Sequence, residues 1–246
     1  MKALCLGAGY GTRLYPLTKD RPKPLLPVGG RPILERILER ILPIPEVDEI
    51  YVVSNHRFAA AYETWAKRYR CPPDRKIRIF DDGTLTNEDR LGAVGDLQFV
   101  LEQSKLDDDF LVVAGDNLLD FDLRDFVAFA RPRGNAIGLK DMKDRSLISR
   151  YSVVEVDRDR KVVHFEEKPP YPRTTLISLG VYFFPRGDLG LMRRYLDSGG
   201  SPDAPGYYIQ WLYKQVPVFG YVTEGTWFDI GDIDSYNRAN ELYGGG

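Results

Sequence analysis

The first fourteen residues constrain the fold more than any other stretch of the chain. An apolar run over residues 1–6 stops abruptly in Leu6-Gly-Ala-Gly-Tyr-Gly-Thr-Arg-Leu14. A buried strand that meets three glycines spaced two apart predicts a turn in which the backbone does the binding. Gly7, Gly9 and Gly11 carry no Cβ, so their N–H groups can come close to the oxygens of an anion such as phosphate. Turns of this kind belong to α/β folds, where ligands sit beyond the C-terminal ends of parallel strands.

Three phosphate-binding patterns compete for the loop. A dinucleotide site wants G-x-G-x-x-G and an acidic residue closing the second strand. Here the third glycine comes one place early, and that strand ends in Ser54-Asn55. A P-loop wants a lysine directly after its last glycine, and Thr12 follows Gly11. The third pattern crosses a triphosphate and then presents cations to it. Arg13 comes two residues after Gly11, and Lys23 sits between Pro22 and Pro24, with Pro27 beyond. Flanking prolines fix φ and stiffen the segment, so Lys23 can be held in place before a substrate arrives. Arg13 offers a planar fork to the phosphates and Lys23 a point charge. The bland alternative is a glycine turn beside a solvated basic run at residues 19–23.

Periodicity extends the α/β reading along the chain. Residues 31–42 predict a helix with Pro32 in its first turn and one apolar stripe formed by Ile33, Leu34, Ile37, Leu38 and Ile41. Further helices are expected at 58–69 and about 92–103. Strands are expected at 1–6, 49–54, 76–80 and 110–114, the last ending in Gly115-Asp116-Asn117. Alternating strands and helices imply βαβ units and a mostly parallel sheet, which brings residues 7–12 and 115–117 to one edge. Beyond residue 134 the pattern changes to closely spaced strands at 151–156, 161–166 and 176–184, with a turn at 157–160. These read as antiparallel strands covering the open side of the pocket. Helices at 189–197 and 208–214, a strand at 218–222 and a helix at 233–243 follow. No Gly/Pro/Ser-rich linker divides the chain, so residues 1–243 read as one domain with halves at 1–134 and 135–243, and 244–246 as a tail.

Composition narrows the partners. A net charge of −2 and a pI near 5.8 give no reason to expect nucleic acid or an anionic membrane. Any bound anion must therefore meet a local cluster of cations. Nothing approaches the roughly 20 apolar residues of a membrane span, and two cysteines make no disulfide framework or zinc motif. A reducing cytoplasm is the expected location.

Residues 6–14 together with Arg21-Pro-Lys-Pro24 resemble the signature of the sugar-phosphate nucleotidyltransferases (NDP-sugar pyrophosphorylases), above all the glucose-1-phosphate thymidylyl/uridylyltransferase branch. The resemblance implies a three-layer α/β/α sandwich with a mostly parallel, Rossmann-like sheet and a β-rich insertion over the pocket. It makes 1–134 the nucleotide-binding half and 135–243 the sugar-phosphate-binding half. The implied reaction joins an NTP to a sugar 1-phosphate, giving NDP-sugar and pyrophosphate. Leu6, Gly7, Ala8, Gly9, Gly11 and Thr12 would hold the nucleotide, with Asn87 and Gly92 near the base. A side-chain amide at Asn87 suits the pyrimidine edge, which favours dTTP or UTP. Asp116 and Asp229 match metal-binding aspartates, and Mg²⁺ fits a site of one or two carboxylates with phosphates and water. Asp232 is the better cap for the last helix.

Phe165-Glu-Glu-Lys-Pro169 resembles the family's Glu-Lys-Pro element, so Glu167 would accept from sugar hydroxyls and Lys168 would neutralise the sugar phosphate. Tyr151, Ser152, Leu179 and Gly180 fall at sugar-pocket positions. Two of them depart from the family pattern: Leu179 stands where Thr or Asn is usual, and Ser152 where Gly is usual. A leucine there loses a hydroxyl contact and points to a deoxy, amino or otherwise less polar acceptor than glucose. Arg13, Lys23 and Lys168 are the expected catalytic cations. The attacking phosphate is already anionic, its second pKa being about 6, so no general base is needed and His56 and His164 read as structural. CTP or GTP with another phosphorylated sugar or alcohol is an alternative. A non-catalytic, sugar-nucleotide-binding regulatory subunit is another, though it would be expected to lose one of the cations or metal aspartates. A monomer or small homo-oligomer is expected.

Overall fold

The structure, a computed structural model, describes residues 1–144 and 148–244. Two compact units emerge, the first made of Met1–Leu91, Val113–Asp120 and Thr226–Gly246, the second of Gly92–Val112 and Phe121–Gly225. The class is α/β, as the sequence leads one to expect, with seven α-helices among the described residues.

In the first unit, strands Lys2–Leu6, Glu49–Ser54 and Lys76–Asp81 run parallel, with Leu6 opposite Val53 and Val53 opposite Phe80. The end of strand Phe110–Ala114 lies on the other side of Lys2–Leu6. Ala3, Leu4 and Cys5 are buried, as are Ile50, Tyr51, Val52 and Val53. Unbroken apolar runs are what strands covered on both faces require. Helix Ile33–Ile41 buries all five residues of its predicted stripe. Its start differs from expectation, because Arg31–Pro32 pairs antiparallel with Pro27–Val28. Pro32 has ψ 140 and stands outside the helix as its cap, so the first turn begins at Ile33. Helix His56–Arg68 starts earlier than its apolar spacing suggests, because Asn55 caps it. The last helix is Ile233–Gly244.

In the second unit, strand Leu176–Phe184 runs antiparallel to Ala136–Asp141 and meets Val153–Val156 at Ile177. Val153–Val156 pairs antiparallel with Val162–Glu166, and Phe219–Val222 lies parallel to Ala136–Asp141. The antiparallel group expected over 151–184 is therefore present. Strand Ala136–Asp141 and helix Leu123–Ala130, capped by Asp122, have no counterpart in the sequence reading. The helix expected at 208–214 runs instead over Pro205–Leu212, because Pro205 occupies the first turn, where its missing N–H costs nothing. No described helix is long and apolar enough to cross a membrane.

Candidate active site

The glycine loop is pinned from below by three side chains. Gly7 N–H donates to Val53 O at 3.0 Å, and Tyr62 Oη donates to Gly7 O at 3.0 Å. A Cβ on Gly7 would stand 2.6 Å from that hydroxyl, so only glycine fits. Asn55 Nδ2 donates to Ala8 O at 2.7 Å while its Oδ1 accepts from Phe58 N at 3.1 Å. Thr18 Oγ1 donates to Gly11 O at 2.7 Å. Gly11 has φ +62, in the left-handed region that favours glycine, and leads into the 3-10 turn Thr12–Leu14. Gly9 is exposed with open space where a side chain would stand. Leu6 and Ala8 sit lower, at the strand end and in the floor. The loop thus keeps its outer rim free and spends its inner carbonyls on the fold.

Two cations and two carboxylates gather in the same unit. Gly115 N–H donates to Leu6 O at 3.0 Å, and a Cβ there would overlap that oxygen. This close approach brings Asp116 to the end of the first strand. A ribbon of Asn117–Leu119 against Trp227–Asp229 sets Asn117 opposite Asp229, and Ile230 N–H donates to Asp116 O at 3.1 Å. Buried Asn117 anchors the ribbon by accepting from Trp227 Nε1 at 3.2 Å. Pro22 caps the 3-10 turn Lys23–Leu25 and Pro24 lies within it, so prolines flank Lys23, whose Nζ reaches Asp116 Oδ2 at 2.9 Å. Arg13 is exposed, and a Cβ on Gly231 would lie 3.6 Å from its Nη1 and 3.3 Å from Asp229 Oδ2. Burial, and then the charge of Asp116, push the Asp229 carboxyl up to about 6, with Lys23 and Arg13 acting the other way. Asp232 instead caps the last helix, accepting from Ser235 N at 2.8 Å.

Asn87 lies in an exposed segment tied by Asp89, which accepts from Leu85 N at 3.1 Å and Thr86 N at 2.8 Å. Asn87 itself is half-buried, and its carbonyl accepts from Arg90 Nη1 at 2.7 Å. His56 Nδ1 pairs with Asp81 Oδ2 at 2.6 Å on the surface.

The second unit holds the remaining candidates. Glu167 has a side chain only 4% exposed, with Lys168 Nζ 3.4 Å from Oε1 and the Ser152 hydroxyl donating to Oε2. Lys168 is exposed and has a left-handed backbone, φ 45, directly before Pro169. Tyr151 and Ser152 are half-buried, and Ser152 O accepts from Ser178 N at 3.0 Å. Leu179 is 1% exposed, and Gly180, with φ +69, interrupts the pairing of its strand. His164 Nε2 lies 3.6 Å from Glu166 Oε2. Gly92 begins helix Ala93–Ser104 with φ +79, and a Cβ there would stand 2.5 Å from Pro202 O.

The Nucleotidyl transferase family model matches residues 2–244. The chain belongs to that family. It is 31% identical over 242 residues to the bifunctional protein GlmU of Methanocaldococcus jannaschii, covering 98% of this chain and 54% of that protein. It is 32% identical over 248 residues to the UTP–glucose-1-phosphate uridylyltransferase of a Synechocystis species, covering 97% and 62%. The chain thus spans between half and two thirds of the length of these curated relatives. A solved UDP-glucose pyrophosphorylase from Acinetobacter baumanii matches with a TM-score of 0.81 at 20% identity, over 99% of this chain and 93% of that one, a likeness of fold.

Several residues that shape these candidate positions escape a reading by motif. Asn55 counts against a dinucleotide site, yet in the structure it both caps a helix and holds the loop. An asparagine between an apolar strand and a helix was the available signal. Tyr62 and Thr18 had none, since each acts across dozens of residues or a tight turn. Gln210, whose Oε1 accepts from Glu167 N at 3.0 Å, and Gly206, packed against the Glu167 carboxylate, had none either.

Proposed function

We propose that this nucleotidyl transferase joins a nucleoside triphosphate, dTTP or UTP by preference, to a hexose 1-phosphate, releasing pyrophosphate. The observation that carries the reading is the meeting of Lys23 with Asp116 at 2.9 Å, beside Asp229 and Arg13, at the end of the glycine loop. The spacing of Gly7, Gly9, Gly11 and Lys23 fits neither a dinucleotide site nor a P-loop.

Two carboxylates whose mutual repulsion and burial favour a proton on one of them suit a divalent cation. Asp116 and Asp229 would hold Mg²⁺, with the remaining ligands from phosphate oxygens and water. Bound there, Mg²⁺ supplies charge neutralisation to the phosphates. The loop N–H groups of residues 7–12 orient the triphosphate, and Arg13 and Lys23 meet the charge that builds on the departing pyrophosphate. Glu167 accepts from a sugar hydroxyl and Lys168 receives the sugar phosphate. That phosphate is its own nucleophile, so catalysis consists of positioning and charge. Asn87 reads the base by its amide, and Gly92 shapes the segment that follows it. Tyr151, Ser152, Leu179 and Gly180 bound the acceptor, with the buried Leu179 favouring a less polar sugar than glucose. Two cysteines unpaired with each other support a cytoplasmic setting.

The test is a grid of four NTPs and dTTP against the 1-phosphates of glucose, galactose, mannose and N-acetylglucosamine, with Mg²⁺, reading pyrophosphate. Turnover with dTTP or UTP is expected. Release of pyrophosphate with no pair, at any Mg²⁺ concentration, would overturn the proposal.

A further inference from the structure

Glu167 is held by three neighbouring side chains and one helix before any sugar arrives. Its Oε2 accepts from the Ser152 hydroxyl, and Lys168 Nζ stands 3.4 Å from Oε1. Its own N–H donates to Gln210 Oε1 at 3.0 Å. Gly206, at the start of helix Pro205–Leu212, packs so closely that a Cβ would overlap Oε2 and stand 2.7 Å from Ser152 Oγ. Ser152 is itself fixed, since its carbonyl accepts from Ser178 N in the neighbouring strand. A surface glutamate has three free torsions. This one has a side chain 4% exposed and a neutral donor on one oxygen.

We infer that Ser152 is a positioning residue for the acceptor: its hydroxyl fixes the Glu167 carboxylate so that Oε1 is the oxygen left to receive a sugar hydroxyl. The inference rests on the acceptor role proposed above for Glu167. A carboxylate offers about four lone-pair directions, and the serine takes one on Oε2. Packing against Gly206 blocks the approach from that helix. Oε1, flanked by Lys168, then faces one hydroxyl beside the phosphate that Lys168 receives. Because Glu167 is ordered in advance, the sugar does not lose affinity to ordering it. Ser152 therefore selects which hydroxyl of the acceptor is read without touching the reacting atoms.

The experiment compares wild type with Ser152→Ala, Ser152→Thr and Gly206→Ala, using the NTP and sugar 1-phosphate that wild type turns over fastest, and the monodeoxy analogues of that sugar. Ser152→Ala should raise KM for the acceptor about tenfold, as expected for one hydrogen bond to a charged group, and leave KM for the NTP within about twofold. The loss should vanish on the one deoxy analogue that lacks the hydroxyl Glu167 holds. Ser152→Thr, which keeps a hydroxyl, should keep more of the wild-type acceptor KM than Ser152→Ala. Gly206→Ala should reproduce the acceptor-selective loss by displacing the same carboxylate. A Ser152→Ala enzyme with unchanged acceptor KM, or one equally impaired for NTP and for every analogue, overturns the inference alone. A wild type that releases no pyrophosphate with any pair overturns the underlying reading, and this inference with it.

Discussion

Lys23 Nζ stands 2.9 Å from Asp116 Oδ2, across 93 residues of sequence. The lysine side chain is 12% exposed and the aspartate 35%, so the pair is partly withdrawn from water and screened less than a surface ion pair. A cation is thereby stored against one of two neighbouring carboxylates. The four charged groups Arg13, Lys23, Asp116 and Asp229 form one electrostatic unit, and the predictions about activity turn on it.

Replacing Lys23 by Ala should lower kcat by about a hundredfold or more, the usual effect of removing one group aimed at developing transition-state charge. Arg13→Ala should act in the same direction. Its exposed side chain predicts an unchanged far-UV circular dichroism spectrum. Pyrophosphate release under saturating substrates measures both variants, and full turnover by either one removes the role proposed for it.

Asp229 predicts a conflict between function and stability. Its carboxyl is pushed from 3.8 up to about 6 by burial and by Asp116. A carboxyl raised in the fold binds its proton more tightly there than in the unfolded chain, so stability falls as pH rises through that interval and stays lower above it. Asp229→Asn removes this cost. In EDTA at pH 8 the variant should melt higher than wild type, by a gain on the order of 1–3 kcal/mol, with the difference closing near pH 4. Mg²⁺-dependent turnover should be lost in the same protein. Scanning fluorimetry at the two pH values decides the matter, and a lower melting point at pH 8 contradicts it.

Asn55→Ala should destabilise the first unit by about 2–4 kcal/mol. About 1 kcal/mol comes from the lost helix cap, and the rest from leaving the Ala8 carbonyl without its donor. Asn55→Asp keeps an acceptor for Phe58 N but loses the donor to Ala8, so its effect on KM for the NTP should approach that of Asn55→Ala. Urea denaturation and NTP kinetics separate the two contributions.

The thiols should differ sharply in reactivity. Burial pushes the Cys5 thiol up to about 12, and its residue is 1% exposed. Cys71 is half-buried, and its thiol is raised by burial and then by Asp74. With Ellman's reagent at pH 8 one thiol per chain should react in the folded protein, slowly, and two in guanidinium chloride. Two fast-reacting thiols in the native protein would show that Cys5 is reachable.

Local pattern carried much of this protein. Strands Glu49–Ser54, Phe110–Ala114 and Leu176–Phe184 begin and end where apolar runs meet turn residues, and helix Ile33–Ile41 buries the stripe its spacing predicts. Gly7, Gly9, Gly11 and the proline-framed Lys23 were legible because their chemistry lies within a few residues of chain. Helix boundaries shifted where a cap overrode the apolar pattern, at Asn55 and Pro32, and where a proline opened the first turn, at Pro205. Strand Ala136–Asp141 escaped notice because its pairing with Leu176–Phe184 and Phe219–Val222 is entirely non-local. Only the tertiary structure could set Asp229 opposite Asn117, press Gly115 onto Leu6, or lock Glu167 between Ser152 and Gly206. Those contacts join segments far apart in the chain, and the free energy that selects them comes from packing and burial, which leave no periodic trace in the sequence.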